Sequence, residues 1–297
     1  MSTSEHLRHK LSTFDDIVNT CPLLFRLHSC GLSRTFFDAE RKVLLASRHA
    51  QKRKDSDEVS YDLKGLERKD PLLTLDNRDA VAGHVSTWAE GKTGPSDFIS
   101  VTYNVHYVLW EWKRRRSNQL RWRNVPQDDY IVIVLESSKL RGRAKLGIEI
   151  LGEDQEPAYR FAQFAKEVIV ADFIRSPIIV GTILMSQLEV FIPSWWRKPL
   201  ASVEQGPQSE EKGISTFKSF LSGLIPPPNK DECFQEALRF ALALISPIVV
   251  RELRADNGSV ANSATMHDEG ATPRVDCGAM SEQTVARERY VLHKFKT

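Results

Sequence analysis

The stretch from Phe161 to Leu184 constrains the fold most. It places two β-branched runs, Val168 to Val170 and Ile178 to Ile183, within one short span. Residues of this kind fit a pleated, half-buried surface, and Arg175-Ser176-Pro177 between the runs reads as a turn. One carboxylate, Glu167, stands at the entrance to the first run. A further run, Tyr130-Ile-Val-Ile-Val-Leu135, is nearly continuous in β-branched residues, as in strands buried on both faces, and is expected at the centre of a sheet. Strands of this kind between helical patterns predict a mixed α and β domain.

Composition narrows the partners more than the fold. Over 297 residues the 41% hydrophobic content is ordinary for a globular chain. The 41 basic and 39 acidic residues leave a formal net charge of +2, so the whole-chain balance marks neither a nucleic-acid binder nor a binder of acidic partners. Cys21, Cys30, Cys233 and Cys277 form no Cys-x-x-Cys pair, which fits reduced thiols better than a disulfide framework or a zinc site. The N-terminus has no apolar core for a signal peptide, and an intracellular protein, cytoplasmic or nuclear, is expected. The most apolar run, Ala237 to Val250, is interrupted by Arg239 and Pro247, so no membrane span is expected.

In chain order, residues 1–20 read as a flexible N-terminus. Pro22 to His28 reads as a strand whose polar face carries Arg26 and His28. Arg26 has two readings: a long side chain snorkelling from a half-exposed strand, or a planar fork holding an anionic group. Ser47 to Asp70 is rich in charge and reads as an exposed insertion, and a short element follows around His84 to Trp88. Gly91-Lys-Thr-Gly-Pro95 lacks the spacing of a phosphate loop. Asp97 to Thr102 reads as a strand with Ser100 and Thr102 on one face. Asn104 can then cap a helix from Val105 to about Arg116, ended by the basic turn Lys113 to Arg116. That turn reads first as a solvated face. With Trp110, Trp112, Trp122, Arg121 and Arg123 it also makes a candidate RNA-facing patch, the less favoured reading. Residues 201–230 read as a linker around a short helix near Phe217 to Leu224. Residues 231–254 form a C-terminal helix with apolar positions Phe234, Leu238, Leu242 and Ile245, and 255–297 a disordered tail.

Three pieces stand in a telling order: Leu24-Phe-Arg-Leu-His28, Asp97-Phe-Ile-Ser-Val-Thr102 before a helix, and Ala165-Lys-Glu-Val-Ile-Val170 before a turn and a second strand. This order resembles the arginine, serine-threonine-serine and glutamate motifs of the ADP-ribosyltransferase fold, in the branch of the cholera-like and heat-labile enterotoxins. It is also similar to an uncharacterised fungal domain family. The resemblance covers about residues 21–190 and is strongest from Tyr130 to Gly181. It implies an α+β fold with a split, mostly antiparallel β core, flanking helices, a domain over 21–200, and a C-terminal helix and tail beyond it.

The resemblance also implies a chemistry. NAD would be the substrate, no metal would be needed, and the acceptor, unidentified, could be a protein. Arg26 would hold a phosphate or the nicotinamide-side ribose. Ser100 would brace the site and orient the glutamate, and Thr102 would fill the third place of the serine-threonine-serine motif. Glu167 would bond the ribose hydroxyl and stabilise the developing cation. Val101 departs from that motif, and Ala165 stands where arginine-modifying toxins carry a second glutamate, which implies an acceptor other than arginine. The alternative is a catalytically silent domain of the same fold that binds a protein or nucleotide.

Overall fold

Each β-branched run forms a strand, and the pairing of the strands decides which side chains can meet. The computed structural model describes residues 11–29, 35–54, 67, 70–90, 95–121, 130–203 and 210–261. Their strands are β1 (Leu23–Ser29), β2 (Phe36–Asp38), β3 (Val43–Leu45), β4 (Phe98–Thr102), β5 (Tyr130–Glu136), β6 (Ala144–Leu146), β7 (Glu167–Ala171), β8 (Phe173–Arg175) and β9 (Ile179–Leu184). One sheet has the order β6-β7-β4-β1-β5-β9, and a smaller one the order β2-β3-β8. Every pairing in them is antiparallel. The expectation of a mixed fold with a mostly antiparallel sheet is met. The turn expected at Arg175-Ser176-Pro177 is present, closed by Ile178 N donating to the Arg175 carbonyl at 2.8 Å, and ahead of it stands a strand that the sequence reading lacked, β8, which leaves the large sheet and pairs with β3. The Tyr130 to Leu135 run lies inside the sheet but next to the edge strand β9, not at its centre.

The large sheet is nearly two sheets. β1 pairs with β5 from Leu23↔Glu136 to Ser29↔Tyr130, and β4 pairs with β7 from Phe98↔Ala171 to Thr102↔Glu167. Between β1 and β4 the register holds a single pair, Phe25↔Thr102. The halves β6-β7-β4 and β1-β5-β9 therefore meet at one point, and past it β1 and β4 share no ladder. Backbone groups at such a seam need other partners.

Helices cover both faces. The Val105–Arg121 helix, which Asn104 caps through its side chain to His106 N at 3.1 Å, packs Val108, Leu109, Trp110 and Trp112 on Phe25, Leu27, Val132 and Val134. On the other face Leu24, Ile99, Ile133, Val168 and Val170 meet Phe14 and Ile17 of a short helix, Phe14–Thr20. Each fully buried aliphatic side chain of this kind contributes roughly 1.5–3 kcal/mol. No helix among the described residues is long and apolar enough to cross a membrane.

Several segments differ from their expected form. Phe14–Thr20 is a helix with a capping box at Thr13 and Asp16, so the described part of the N-terminus is anchored; residues 1–10 lie outside the described residues. Ser47–Lys54 is likewise a helix, with Ala50 buried; most of 55–69 lies outside the described residues. The helix after Asn104 continues past the basic turn to Arg121. Trp110 and Trp112 are core residues, unable to stack on bases, while Trp122 and Arg123 lie outside the described residues. The 201–230 stretch contributes a helix, Glu210–Ser222, whose Phe217 and Phe220 join the main core. The short helix expected near Phe217 to Leu224 is present and longer, and it packs into the core where a linker was expected.

The C-terminal helix runs Lys230–Ala261, beyond the expected end at 254, and 262–297 lies outside the described residues. It buries Phe240, Ala243 and Leu244, whereas Phe234, Leu238 and Leu242, the expected packing face, are exposed. Pro247 sits inside it and removes the donor that the Ala243 carbonyl would receive. Ser246 Oγ donates to that carbonyl at 2.8 Å instead. The proline rests on β9 at Gly181, where a Cβ would collide with its ring.

Candidate active site at the seam between β1 and β4

Arg26 lies one residue past the Phe25↔Thr102 pair, where β1 and β4 no longer bond. Its guanidinium fills that gap: Nη1 donates to the Ser100 carbonyl at 2.5 Å and Nη2 to Thr35 Oγ1 at 2.8 Å. A side chain thus replaces the missing strand-to-strand bond. Nε of Arg26 is buried without a partner. Burial, and then the nearby charge of Arg115, bring this guanidinium down to about 10, with Glu167 and Tyr107 opposing, so it stays charged at neutral pH.

Ser100 and Glu167 reach the seam from the other half. Thr102↔Glu167 and Ser100↔Ile169 are paired, and alternation along each strand puts Ser100, Thr102 and Glu167 on one face. Glu167 is the first residue of β7, 6% exposed, and reached directly after the left-handed Lys166, φ 53°, that ends the Ala158–Ala165 helix. Burial pushes its carboxyl up to about 7, while the Ser100 hydroxyl bonded to it and the charge of Arg26 pull the other way. Oε2 of Glu167 is buried with no partner. A carboxylate left unsatisfied in this way is costly, and such groups collect where ligands bind.

Behind Ser100 stands a residue that sequence reasoning passed over. His84, on the Arg78–Glu90 helix, holds Nε2 2.8 Å from Ser100 Oγ and Nδ1 2.8 Å from Ser96 Oγ. Burial, with a smaller effect from Arg26, brings His84 down to about 3, so the ring is neutral and has one donor and one acceptor. With Ser100 donating to an ionised Glu167, Nε2–H must donate to Ser100 and Nδ1 must accept from Ser96. Ser96 Oγ in turn accepts from Phe98 N at 3.1 Å. The chain of bonds fixes the Ser100 rotor toward Glu167. Only the Ser96, His84 and Ser100 spacing signals it in sequence, and that spacing is not a motif.

Thr102 is used otherwise. Its hydroxyl donates to the Ala165 carbonyl at 2.6 Å and accepts from Asn104 N at 2.9 Å. It locks β4 to the helix end ahead of Glu167 and to the cap of the next helix, and its proton is not free for a cofactor. Ala165 also departs from expectation. It ends a helix and is 1% exposed, so it does not share an extended segment or a face with Glu167. The site therefore joins Arg26, Ser100 and Glu167, adds His84, and leaves Thr102 as a latch.

Charge is organised one layer out. Glu111, 3% exposed, accepts from Arg114 at 2.7 and 2.8 Å and from Arg115 Nε at 2.6 Å. Burial alone would raise this carboxyl, but the two guanidinium groups outweigh it and bring it down to about 2. The basic turn expected to be a solvated face is thus built around a buried carboxylate. No protein-family model, curated protein or solved structure matches this chain.

Proposed function

We propose that this chain is an NAD-dependent ADP-ribosyltransferase with an acceptor other than arginine, on a split antiparallel core of that type. The observation that carries the reading is the meeting of Arg26, Ser100 and Glu167 at the seam between β4 and β1, with Ser100 bonded to Glu167. In such a reaction the bond from the ribose to nicotinamide breaks, and its electron pair leaves with neutral nicotinamide. Positive charge then develops on the ribose, and an ionised carboxylate beside it lowers that barrier. Glu167 supplies the carboxylate, Ser100 and His84 aim it, and Arg26 offers its unpartnered Nε to a phosphate oxygen. The acceptor then attacks the ribose carbon and loses its proton.

The acceptor side lacks a second carboxylate. Ala165 is buried and Lys166 is exposed, so the residues leading into Glu167 present a cation. A cation there disfavours a guanidinium acceptor. A second reading, a silent domain of the same fold that binds a protein or nucleotide, is favoured by one observation: both terminal nitrogens of Arg26 already have internal partners. Nicotinamide release from NAD by the full-length chain separates the two readings. Release that vanishes in Glu167→Gln supports the transferase, and NAD binding without release supports the silent domain.

A further inference from the structure

We propose that His49, Asp97 and Asp172 bind one divalent first-row metal ion, of the zinc or manganese class, in a site separate from the seam. The three residues come from three segments. His49 lies on the Ser47–Lys54 helix, Asp97 just ahead of β4, and Asp172 in the one-residue link between β7 and β8. His49 Nε2 is 2.9 Å from Asp172 Oδ1 and 3.7 Å from Asp97 Oδ1, and one ligand atom from each residue lies within 4.8 Å of the others. Ligand bonds of about 2.0–2.2 Å at angles between octahedral and tetrahedral place donor atoms about 2.8–3.6 Å apart. The two separations from His49 Nε2, 2.9 and 3.7 Å, lie at and just beyond the ends of that range.

The charge in this cluster is incompletely matched by protons. Asp172 is 1% exposed and Asp97 partly buried, yet Asp172 Oδ2 and Asp97 Oδ1 are both buried with no hydrogen-bond partner. His49 Nε2 lies within hydrogen-bond distance of the other Asp172 oxygen, Oδ1, at 2.9 Å, and of neither of these two. Arg48 Nη1 pairs with the other oxygen of Asp97 at 3.0 Å, and so orients this carboxylate from outside. Arg143, whose charge bears on Asp172, lies over the Phe173 ring, and its own Nε is buried without a partner. An imidazole nitrogen between two carboxylates, each of which keeps a buried oxygen without a partner, forms the ligand set that a dication completes, with water in the open positions.

The backbone supports the same reading. Asp172 is left-handed, φ 58°, a conformation that glycine adopts more easily. Its N–H donates to the Asp97 carbonyl at 2.6 Å, and its carbonyl accepts from Ala46 N at 2.8 Å. The three ligand-bearing segments are thereby fixed together before any ion arrives. The imidazole favours zinc over calcium or magnesium, and the two carboxylates also suit manganese. A bound ion would clamp β4 and β7, the strands that carry Ser100 and Glu167, to the Ser47–Lys54 helix.

Titration calorimetry of the full-length, chelator-treated chain with zinc chloride and with manganese chloride tests this, independently of any NAD chemistry. One equivalent is expected to bind, and Asp172→Asn and His49→Gln are each expected to weaken it at least tenfold while far-ultraviolet dichroism stays native. If Asp172→Asn fails to fold, His49→Gln decides. No binding of either ion, or binding unchanged in the folded variants, would overturn the proposal. A cluster held only as an ion-paired strut would give the first of these results.

Discussion

Phe25 and Thr102 form the pair that joins β1 to β4, and among the described residues no other residue pair bridges these strands. A sheet closed by a full ladder would bond the Ser100 carbonyl to backbone. Here the carbonyl takes the Arg26 guanidinium instead, and the candidate site exists because the ladder stops there.

Arg26→Ala should therefore have two effects. The Ser100 carbonyl and Thr35 hydroxyl lose their donor, which costs about 1–3 kcal/mol of stability. NAD binding should also weaken, because a charged fork is lost. Arg26→Lys should restore part of the stability and little of the binding, since an ammonium cannot bridge both partners and still reach a phosphate. Denaturant unfolding and calorimetry with NAD give the two readouts. Equal NAD affinity in all three proteins would refute the assignment.

Glu167 predicts an unusual pH dependence. Its folded-state value, about 7, lies above the ordinary 4.5, so the folded chain holds this proton more tightly than the unfolded one. Its stabilising contribution is complete below about pH 4.5 and is lost as pH rises through 7. Glu167→Gln carries no charge to bury. Its melting temperature should exceed that of the wild type by a few degrees at pH 8.5, and the difference should shrink toward pH 5. A variant less stable at pH 8.5 would show that the carboxylate is held by interactions that outweigh its burial.

His84→Ala removes the donor that holds Ser100. The expected result is a fall of about 10- to 100-fold in NAD turnover with little change in KM, and an upward shift of the pH profile, because Ser100 lowers Glu167 less well when its rotor is free. His84→Gln, whose amide can still donate, should recover part of the rate. A loss in KM alone would make His84 a scaffold residue.

Gly181→Ala tests how the C-terminal helix docks. The added methyl meets the Pro247 ring, so the helix must shift away from β9. A loss of about 1–3 kcal/mol is expected. Hydrogen exchange should report it first in Lys230–Ala261. An unchanged melting curve would mean that the helix contributes little to the fold.

The strands of the site were legible because β-branched runs and alternation are local properties. Leu23–Ser29, Phe98–Thr102 and Glu167–Ala171 stand where the pattern puts them. What the pattern lacked was long-range information. His84 reads as one polar residue in a helix until Ser96 and Ser100 fold against it. Phe234, Leu238 and Leu242 keep helical spacing, yet that spacing identifies a face and not the neighbour that covers it. Ala165 and Glu167 look like alternate residues of one strand, but the left-handed Lys166 separates a helix from a strand between them. The short helix near Phe217 was legible, but the polar composition around it read as a linker, and only the fold shows that Phe217 and Phe220 are fully buried.

The most direct test of the functional account is nicotinamide release from NAD by the full-length chain, followed from pH 5.5 to 8.5, in the wild type and in folded Glu167→Gln, with and without an arginine-rich acceptor. The account predicts turnover that rises as pH passes through about 7, where Glu167 becomes ionised, falls at least 100-fold in Glu167→Gln, and leaves the arginine-rich acceptor unmodified. Undetectable release by the wild type, or turnover unchanged in Glu167→Gln, would contradict it.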